Sequence, residues 1–276
     1  MWSQVVGKVC LALTAPANHF WNVAFRVTPR GLATPTLTAG SRAFSLTFDF
    51  VDHQLVLQCS DGTAERLPLQ PMTVAEFHRL LTEMLHRMGV DVRIWTMPVE
   101  IPAPIRFEED TVHRSYDPVA AHAFWRVLLA ITPVLEAFRS RFLGKCSPVH
   151  FFWGSFDLAL TRFSGRPAPE RPGADPITRE AYSHEVISHG FWLGSGGVPE
   201  PAFYAYAAPQ PPGLESVKPK PSAAAFYSTE FSEFILPYEA IRSALDPAEL
   251  LLAFLTSTYE AAAELAGWDR PALERS

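Results

Sequence analysis

Twice along this chain, a run of short alternating apolar segments ends in Leu-Pro and gives way to a helical apolar stripe. Leu67-Pro68 precedes the first stripe and Leu236-Pro237 the second. Apolar residues at every second position describe a strand with one face in a core, and recurrence at three and four describes a helix that buries one side. Strands followed by a helix, in each half, imply an α+β fold. We expect two strand-rich antiparallel halves, each followed by a helix, an order that an internal duplication would produce. A second echo links Gly7-Lys8 and Asn18-His-Phe-Trp21 to Gly144-Lys145 and His150-Phe-Phe-Trp153. The competing reading is chance reuse of such clusters in a strand-rich chain. Residues 1–276 are expected to form a single compact domain, with subdomains 1–96 and 143–276 joined by a Pro-rich acidic loop and a helix at about 97–142.

Local patterns place the elements. Val5–Leu13 and Asn18–Val27 read as strands, as do Phe44–Phe50, Leu55–Cys59 and the short Asp91–Trp95. Phe44, Leu46, Phe48 and Phe50 share one strand face, and Asp61-Gly62 marks a hairpin turn. Thr73-Val-Ala-Glu76 has capping-box spacing, and Gly89 is a natural helix stop. Asp117-Pro118 opens the linking helix, which carries Pro133 inside it. Strands are then expected over Val149–Phe163, interrupted at Gly154, and over Glu180–Leu193, Ala202–Ala207 and Phe231–Leu236. Gly194-Ser-Gly-Gly197 reads as a flexible turn, and Pro237 or Asp246-Pro247 opens the last helix, which Gly267 ends.

The apolar fraction of 48% supplies a core, and 19% charged residues is too few for a disordered chain. A net charge of −6 without a basic block argues against nucleic acid or an acidic membrane surface as partner. No basic region precedes an apolar core at the start, and no run approaches the roughly 18 apolar residues of a span, so neither a signal peptide nor a membrane helix is expected. Cys10, Cys59 and Cys146 are dispersed and odd in number, which fits reduced thiols in the cytoplasm. Cys146 beside Lys145 could be nucleophilic, against the plainer reading of an inert thiol.

Chemistry-bearing residues concentrate between Ser147 and Trp192. His150, His184 and Glu185, with Asp157 and His189 in reserve, could act as acid–base groups or hold zinc, iron or manganese. Against a ligand pair, successive strand residues point to opposite faces, so His184 and Glu185 diverge on a regular strand. The alternative is hydrogen-bonded structural histidines. Asp110 and His113, three apart, would meet within one helical turn, and a carboxylate that orients an imidazole suits a general base. Their alternative is an acidic surface loop. Arg162 and Arg166 flank a Ser-Gly turn suited to an anionic group, or simply form salt bridges. The aromatic groups Phe151-Phe-Trp153, Phe191-Trp192 and Phe203-Tyr-Ala-Tyr206 could stack on a planar ligand, with Tyr182 a further ligand-binding candidate, although such residues are more often core.

These residues imply a small-molecule enzyme with a His/carboxylate/Arg pocket. Asp110 and His113 would sit at its rim, and a divalent metal could assist. The alternatives are a non-catalytic binder of an aromatic or anionic ligand and a purely structural role. The residues leave the ligand, the reaction and the oligomeric state open.

The motifs Pro148-Val-His-Phe-Phe-Trp-Gly-Ser-Phe-Asp157, Thr161-Arg-Phe-Ser-Gly-Arg166 and Glu180-Ala-Tyr-Ser-His-Glu185 resemble a bacterial family of uncharacterised proteins, catalogued as a domain of unknown function. Phe48-Asp-Phe-Val-Asp-His53, Asp110-Thr-Val-His113, Ser115-Tyr-Asp117 and Ser257-Thr-Tyr-Glu-Ala-Ala262 extend the resemblance over nearly the whole chain. The resemblance implies one compact unit and brings no activity or cofactor. Its pattern has a small residue where this chain has His189, which leaves His189 outside the primary site.

Overall fold

The computed structural model describes residues 1–194 and 199–275. Two six-stranded antiparallel sheets with helices make an α+β fold, as the order of patterns implies. The chain divides into one unit of Met1–Leu129 with Phe151–Ser155 and another of Ala130–His150 with Phe156–Ser276.

The first unit opens with helix α1 (Trp2–Leu13), a correction to the strand expected at Val5–Leu13. Val5, Val6 and Val9 favour a strand locally, but burial runs around most of this segment, and a segment buried on all sides has no diagnostic period. Gly7 is what lets the helix sit close. A Cβ there would lie 2.1 Å from the Trp153 ring, whose Nε1 donates to the Val23 carbonyl at 2.9 Å. Asn18–Val23 is likewise a 3₁₀ segment and no strand, with His19 and Phe20 in left-handed conformation (φ 57° and 59°). The Asn22 side chain accepts from the Ala17 amide at 3.2 Å and donates to Thr14 Oγ1 at 2.8 Å, which locks the turn.

Strands β1 (Arg26–Thr28), β2 (Gly31–Ala33), β3 (Leu37–Ala39), β4 (Arg42–Asp49), β5 (Gln54–Cys59) and β6 (Ala64–Pro68) form the first sheet. Its order is β1-β2-β4-β5-β6, with β3 also on β4. Phe44, Leu46, Phe48 and Phe50 are all buried, as their alternation requires. Helix α2 (Val74–Arg87) starts where Thr73 accepts from the Glu76 amide at 3.1 Å, and it buries Phe77, Leu81, Met84 and Leu85. Gly89, at φ 71°, follows it in the left-handed conformation. Residues 91–95 form no strand.

Helix α3 (Pro118–Ser140) begins with Asp117 accepting from the Val119 and Ala120 amides at 2.8 and 3.1 Å. It corrects the expectation that no apolar run reaches membrane length. It has 23 residues and an 18-residue window of mean hydropathy 1.4, long and apolar enough to cross a bilayer. Its buried Trp125, Leu128, Ile131, Leu135 and Phe138 recur every three or four residues, the stripe of a helix packed along one side.

The second sheet has the order β11-β12-β10-β9-β8-β7. Its strands are β7 (His150–Phe152), β8 (Asp157–Pro167), β9 (His184–Trp192), β10 (Ala202–Ala208), β11 (Phe226–Ser228) and β12 (Glu233–Pro237). The short helix α4 (Pro176–Ala181) precedes β9, capped by Asp175. Beyond Gly194, the expected turn lies outside the described residues. Both expected starts after β12 are used: α5 (Tyr238–Arg242) follows Pro237, and α6 (Pro247–Leu265) follows Asp246, whose carboxylate accepts from the Glu249 amide. Gly267, at φ 61°, follows α6, and α7 (Arg270–Leu273) follows in turn. The echoed segments take different conformations. Gly7-Lys8 is helical and Gly144-Lys145 is not, while Asn18–Trp21 is a 3₁₀ turn and His150–Phe152 a strand.

Candidate functional site

Strand register sorts the second sheet into two faces. Thr161 pairs with Ser188 and Ser188 with Tyr206, while Ala159 pairs with Gly190 and Gly190 with Tyr204. Tyr204 pairs with Ile235, two residues from Glu233. With side chains alternating along each strand, Asp157, Thr161, Ser188, Tyr204, Tyr206 and Glu233 share one face. No lysine or arginine occupies a position on that face of β8, β9, β10 or β12.

The hydroxyls on this face are connected. Thr161 Oγ1 and Ser188 Oγ lie 2.9 Å apart, and Tyr182 Oη and Tyr206 Oη 3.1 Å apart. Tyr204 donates its phenol proton to Asp157 Oδ2. That bond spans a strand, because Tyr204 stands on β10 and Asp157 on β8, with β9 between them. Gly190 on β9 leaves the passage. A Cβ at that position would lie 2.3 Å from Tyr204 Oη and 2.5 Å from the Leu158 carbonyl oxygen. The glycine is required here for close approach of a ring to backbone.

Burial and charge tune these groups. Burial, then the Asp157 carboxylate, raises Tyr204 well above the usual phenol range, so the proton stays on the tyrosine. Burial, then the Tyr182 phenol, does the same for Tyr206. Burial, with the Asp157 charge adding to it, pushes the Glu233 carboxyl up to about 7. The face thus holds one carboxylate fixed as an acceptor and one carboxyl group that changes protonation near neutrality.

The opposite face is closed by α3 and α6. The Arg162 guanidinium lies 3.5 Å from the Phe138 ring centroid, 4.2 Å from Tyr259 and 5.0 Å from Phe142. It also donates to the Phe138 carbonyl, and burial lowers its pKa to about 10. His189 Nε2 stands 3.1 Å from Thr258 Oγ1, which gives its own proton to the Phe254 carbonyl at 2.8 Å, so the imidazole donates to the hydroxyl. Burial, then the Arg162 charge, holds His189 well below its ordinary pKa, and the ring is neutral.

The residues expected from sequence are distributed as follows. Arg162 is stacked inside the helix–sheet layer. Arg166 pairs with Glu185 at 2.7 Å and donates to the Ala266 and Gly267 carbonyls at 2.7 and 3.2 Å, where it caps the end of α6. Both arginines hold scaffold. His184 pairs with Pro167 at the far end of β8, with its Nδ1 3.1 Å from Ser183 Oγ. His150 is buried in β7, three residues past Ser147, whose amide donates to the Thr161 carbonyl. Opposite Thr161 stands Ser188, four residues from His184 and so roughly 13 Å away at about 3.3 Å per residue, and His150 lies further still toward the other end, so His150, His184 and Glu185 do not form one ligand set. Among the described residues, no group of three or more His, Cys, Asp or Glu side chains is placed to hold a metal ion. Asp157 joins the hydroxyl face through Tyr204, and Tyr182 joins it through Tyr206. Trp153 packs in the first unit against Gly7.

Asp110 and His113 do meet. His113 Nδ1 is 2.7 Å from Asp110 Oδ2, with the carboxylate wholly buried and the imidazole 46% exposed. Asp110 Oδ1 accepts from the Val112 and His113 amides at 3.1 and 3.0 Å. Burial alone would raise this carboxyl, but the bonds from the His113 amide and imidazole outweigh it and hold Asp110 below its ordinary value.

Ser188, Thr161 and Glu233 escape a search for histidine and arginine clusters, whereas Tyr204 and Tyr206 belong to the aromatic group Phe203-Tyr-Ala-Tyr206, whose alternation puts both tyrosines on one face. The chain matches the model of a family of unknown function (DUF5996) over residues 1–275, and it belongs to that family. No curated protein and no solved structure matches it.

Proposed function

We propose that this member of the family binds a small polar molecule on the hydroxyl face of the second sheet and transfers protons on it. Glu233 is the acid–base group, and Asp157 with Tyr204 is the fixed partner. The carrying observation is the Tyr204 ring laid across Gly190 to reach Asp157, a close fit that places a phenol and two carboxylates on one surface. Two titratable groups pushed apart by their surroundings form the usual basis of acid and base roles. The strands place two carboxylates and several hydroxyls on this face, with Lys145 over Phe163 and Arg171 over Tyr182 as the neighbouring cations, so the ligand proposed is a neutral or cationic molecule rich in hydroxyl or amino groups. This replaces the anionic substrate expected from Arg162 and Arg166. The three cysteines form no disulfide, which favours a reducing cytoplasmic location.

The test is saturation-transfer NMR of the protein with monosaccharides, cyclitols and polyamines, followed by time-resolved NMR of any binder. Binding retained by Glu233→Gln while conversion stops supports the enzymatic reading. Binding with no conversion by either protein reduces the face to a binding site. A Glu233 carboxyl titrating near 4.5, with no binder, refutes both.

A second reading rests on the first unit. The Asp110–His113 pair, with a buried carboxylate behind a half-exposed imidazole, has the geometry of an oriented general base. His113→Gln in the same conversion assay separates the two sites.

A further inference from the structure

The stretch that follows α3 builds a second polar hollow, away from the hydroxyl face. Residues 141–147 run antiparallel to two partners. Cys146 bridges Arg162 on β8, and Phe142 bridges Glu274. The Leu143 amide donates to the Leu273 carbonyl at 2.7 Å and the Arg275 amide to the Arg141 carbonyl at 2.9 Å. These pairings bring Arg275 beside the end of α3. The result is a hollow of about 530 Å³ lined by Arg139, Ser140, Phe142, Gly144, Cys146 and Arg275.

Its charge is one-sided. Among the described residues, the lining holds two guanidinium groups and no carboxylate. Arg139 Nε donates to the Ser147 carbonyl at 2.7 Å and Arg275 Nε to the Ser140 carbonyl at 2.8 Å, so backbone acceptors fix both planes. Arg162 adds a third cation behind the Phe142 ring, 2% exposed, with its Nε unbonded among the described residues. Residues directly opposite in an antiparallel bridge point the same way, so Cys146 and Arg162 share a side. Two carboxylates lie nearby: Glu136 pairs with Arg139 at 3.5 Å, and Glu274 is held by Arg270 at 2.6 Å and also acts on Arg162. Guanidinium groups fixed by backbone acceptors, with remaining N–H donors toward a hollow, match the geometry of an oxyanion.

We propose that this hollow is a binding site for the carboxylate or phosphate group of a small molecule, clasped between Arg139 and Arg275 over the Cys146 thiol. The site is independent of Glu233 and of the proposed function.

The probes are inorganic phosphate and acetate, titrated onto the full chain by calorimetry and by ³¹P and methyl line broadening. Saturable binding is expected, weakened about tenfold or more by Arg275→Gln, largely kept by Arg275→Lys, and changed less than threefold by Cys146→Ser. Tighter phosphate than acetate names a phosphate ligand, and the reverse names a carboxylate. A second readout is alkylation of Cys146. Relative to a free thiol, the site should favour anionic iodoacetate over neutral iodoacetamide, and Arg275→Gln should abolish that preference. No saturable binding of either anion, or binding that Arg275→Gln leaves intact, overturns the proposal.

Discussion

The two faces of the second sheet handle buried polar groups in opposite ways. On the helix-covered face, Arg162 rests on three aromatic rings and a backbone carbonyl, and neutral His189 is tied to Thr258. The guanidinium and the imidazole Nε2 are each held by a fixed neighbour, and burial suppresses charging of the imidazole. On the other face, Asp157 accepts from a tyrosine and Glu233 is left to change protonation near neutrality. Both faces bury ionisable groups, but only the second leaves one poised to exchange a proton. An arginine or histidine in a suggestive motif can thus be scaffold, while the carboxyl group with the raised pKa comes from a stretch with no motif.

The largest expected effect falls at Gly190. Its Cβ would meet both the Tyr204 hydroxyl and a backbone carbonyl, so Gly190→Ala should cost about 3 kcal/mol or more in denaturant unfolding. Adding Tyr204→Ala should recover only part, because the carbonyl remains. Wild-type stability of Gly190→Ala would show that no ring crosses β9.

Next comes Arg162. Arg162→Ala opens a cavity among Phe138, Phe142 and Tyr259 and should cost about 3 kcal/mol. Arg162→Met keeps most of the volume without the charge and should cost under about 2 kcal/mol. Equal losses would mean that charge, not packing, dominates that face.

The pH dependence separates the faces directly. Glu233 has a folded pKa raised to about 7 against 4.5 when unfolded, so its protonated form stabilises the fold. That contribution is full below about 4.5 and is lost as pH rises through about 7, on the order of 3 kcal/mol. His189 works the other way. Its folded pKa is depressed, so the unfolded chain takes up the proton first and stability falls as pH drops below about 6.5. The two slopes oppose each other in the wild type. Glu233→Gln should expose stability that rises with pH from 5 to 7, and His189→Gln stability that falls, each read from denaturation midpoints.

The smallest effect is expected in the first unit. Asp110→Ala removes the acceptor of two amides and an imidazole and should cost about 1–2 kcal/mol. ¹⁵N shifts should show the His113 ring passing from one tautomer to a mixture. A ring that keeps its tautomer would mean that Asp110 does not orient it.

Legibility in the sequence followed the range of the interactions. The helix starts at Thr73, Asp117 and Asp246 were readable because a cap binds an amide two or three residues away. The alternation of Phe44, Leu46 and Phe48 was readable because one face of β4 is buried. Asp110 and His113 were paired correctly because they are three residues apart. The failures have the complementary cause. Val5–Leu13 is buried on most sides, so no period distinguished helix from strand. His150, Arg162 and His184 cluster in sequence, yet register sends them to different ends and faces of the sheet.

By itself, then, the sequence determined the α+β class, the capped helices and the alternating strands, since these depend on contacts within a few residues. Only the tertiary structure decided that α1 is a helix, that Arg162 is packed away, and that Tyr204 crosses Gly190 to Asp157. Those outcomes depend on which strands become neighbours, and strand order joins residues as far apart as Asp157 and Tyr204, which no local pattern records.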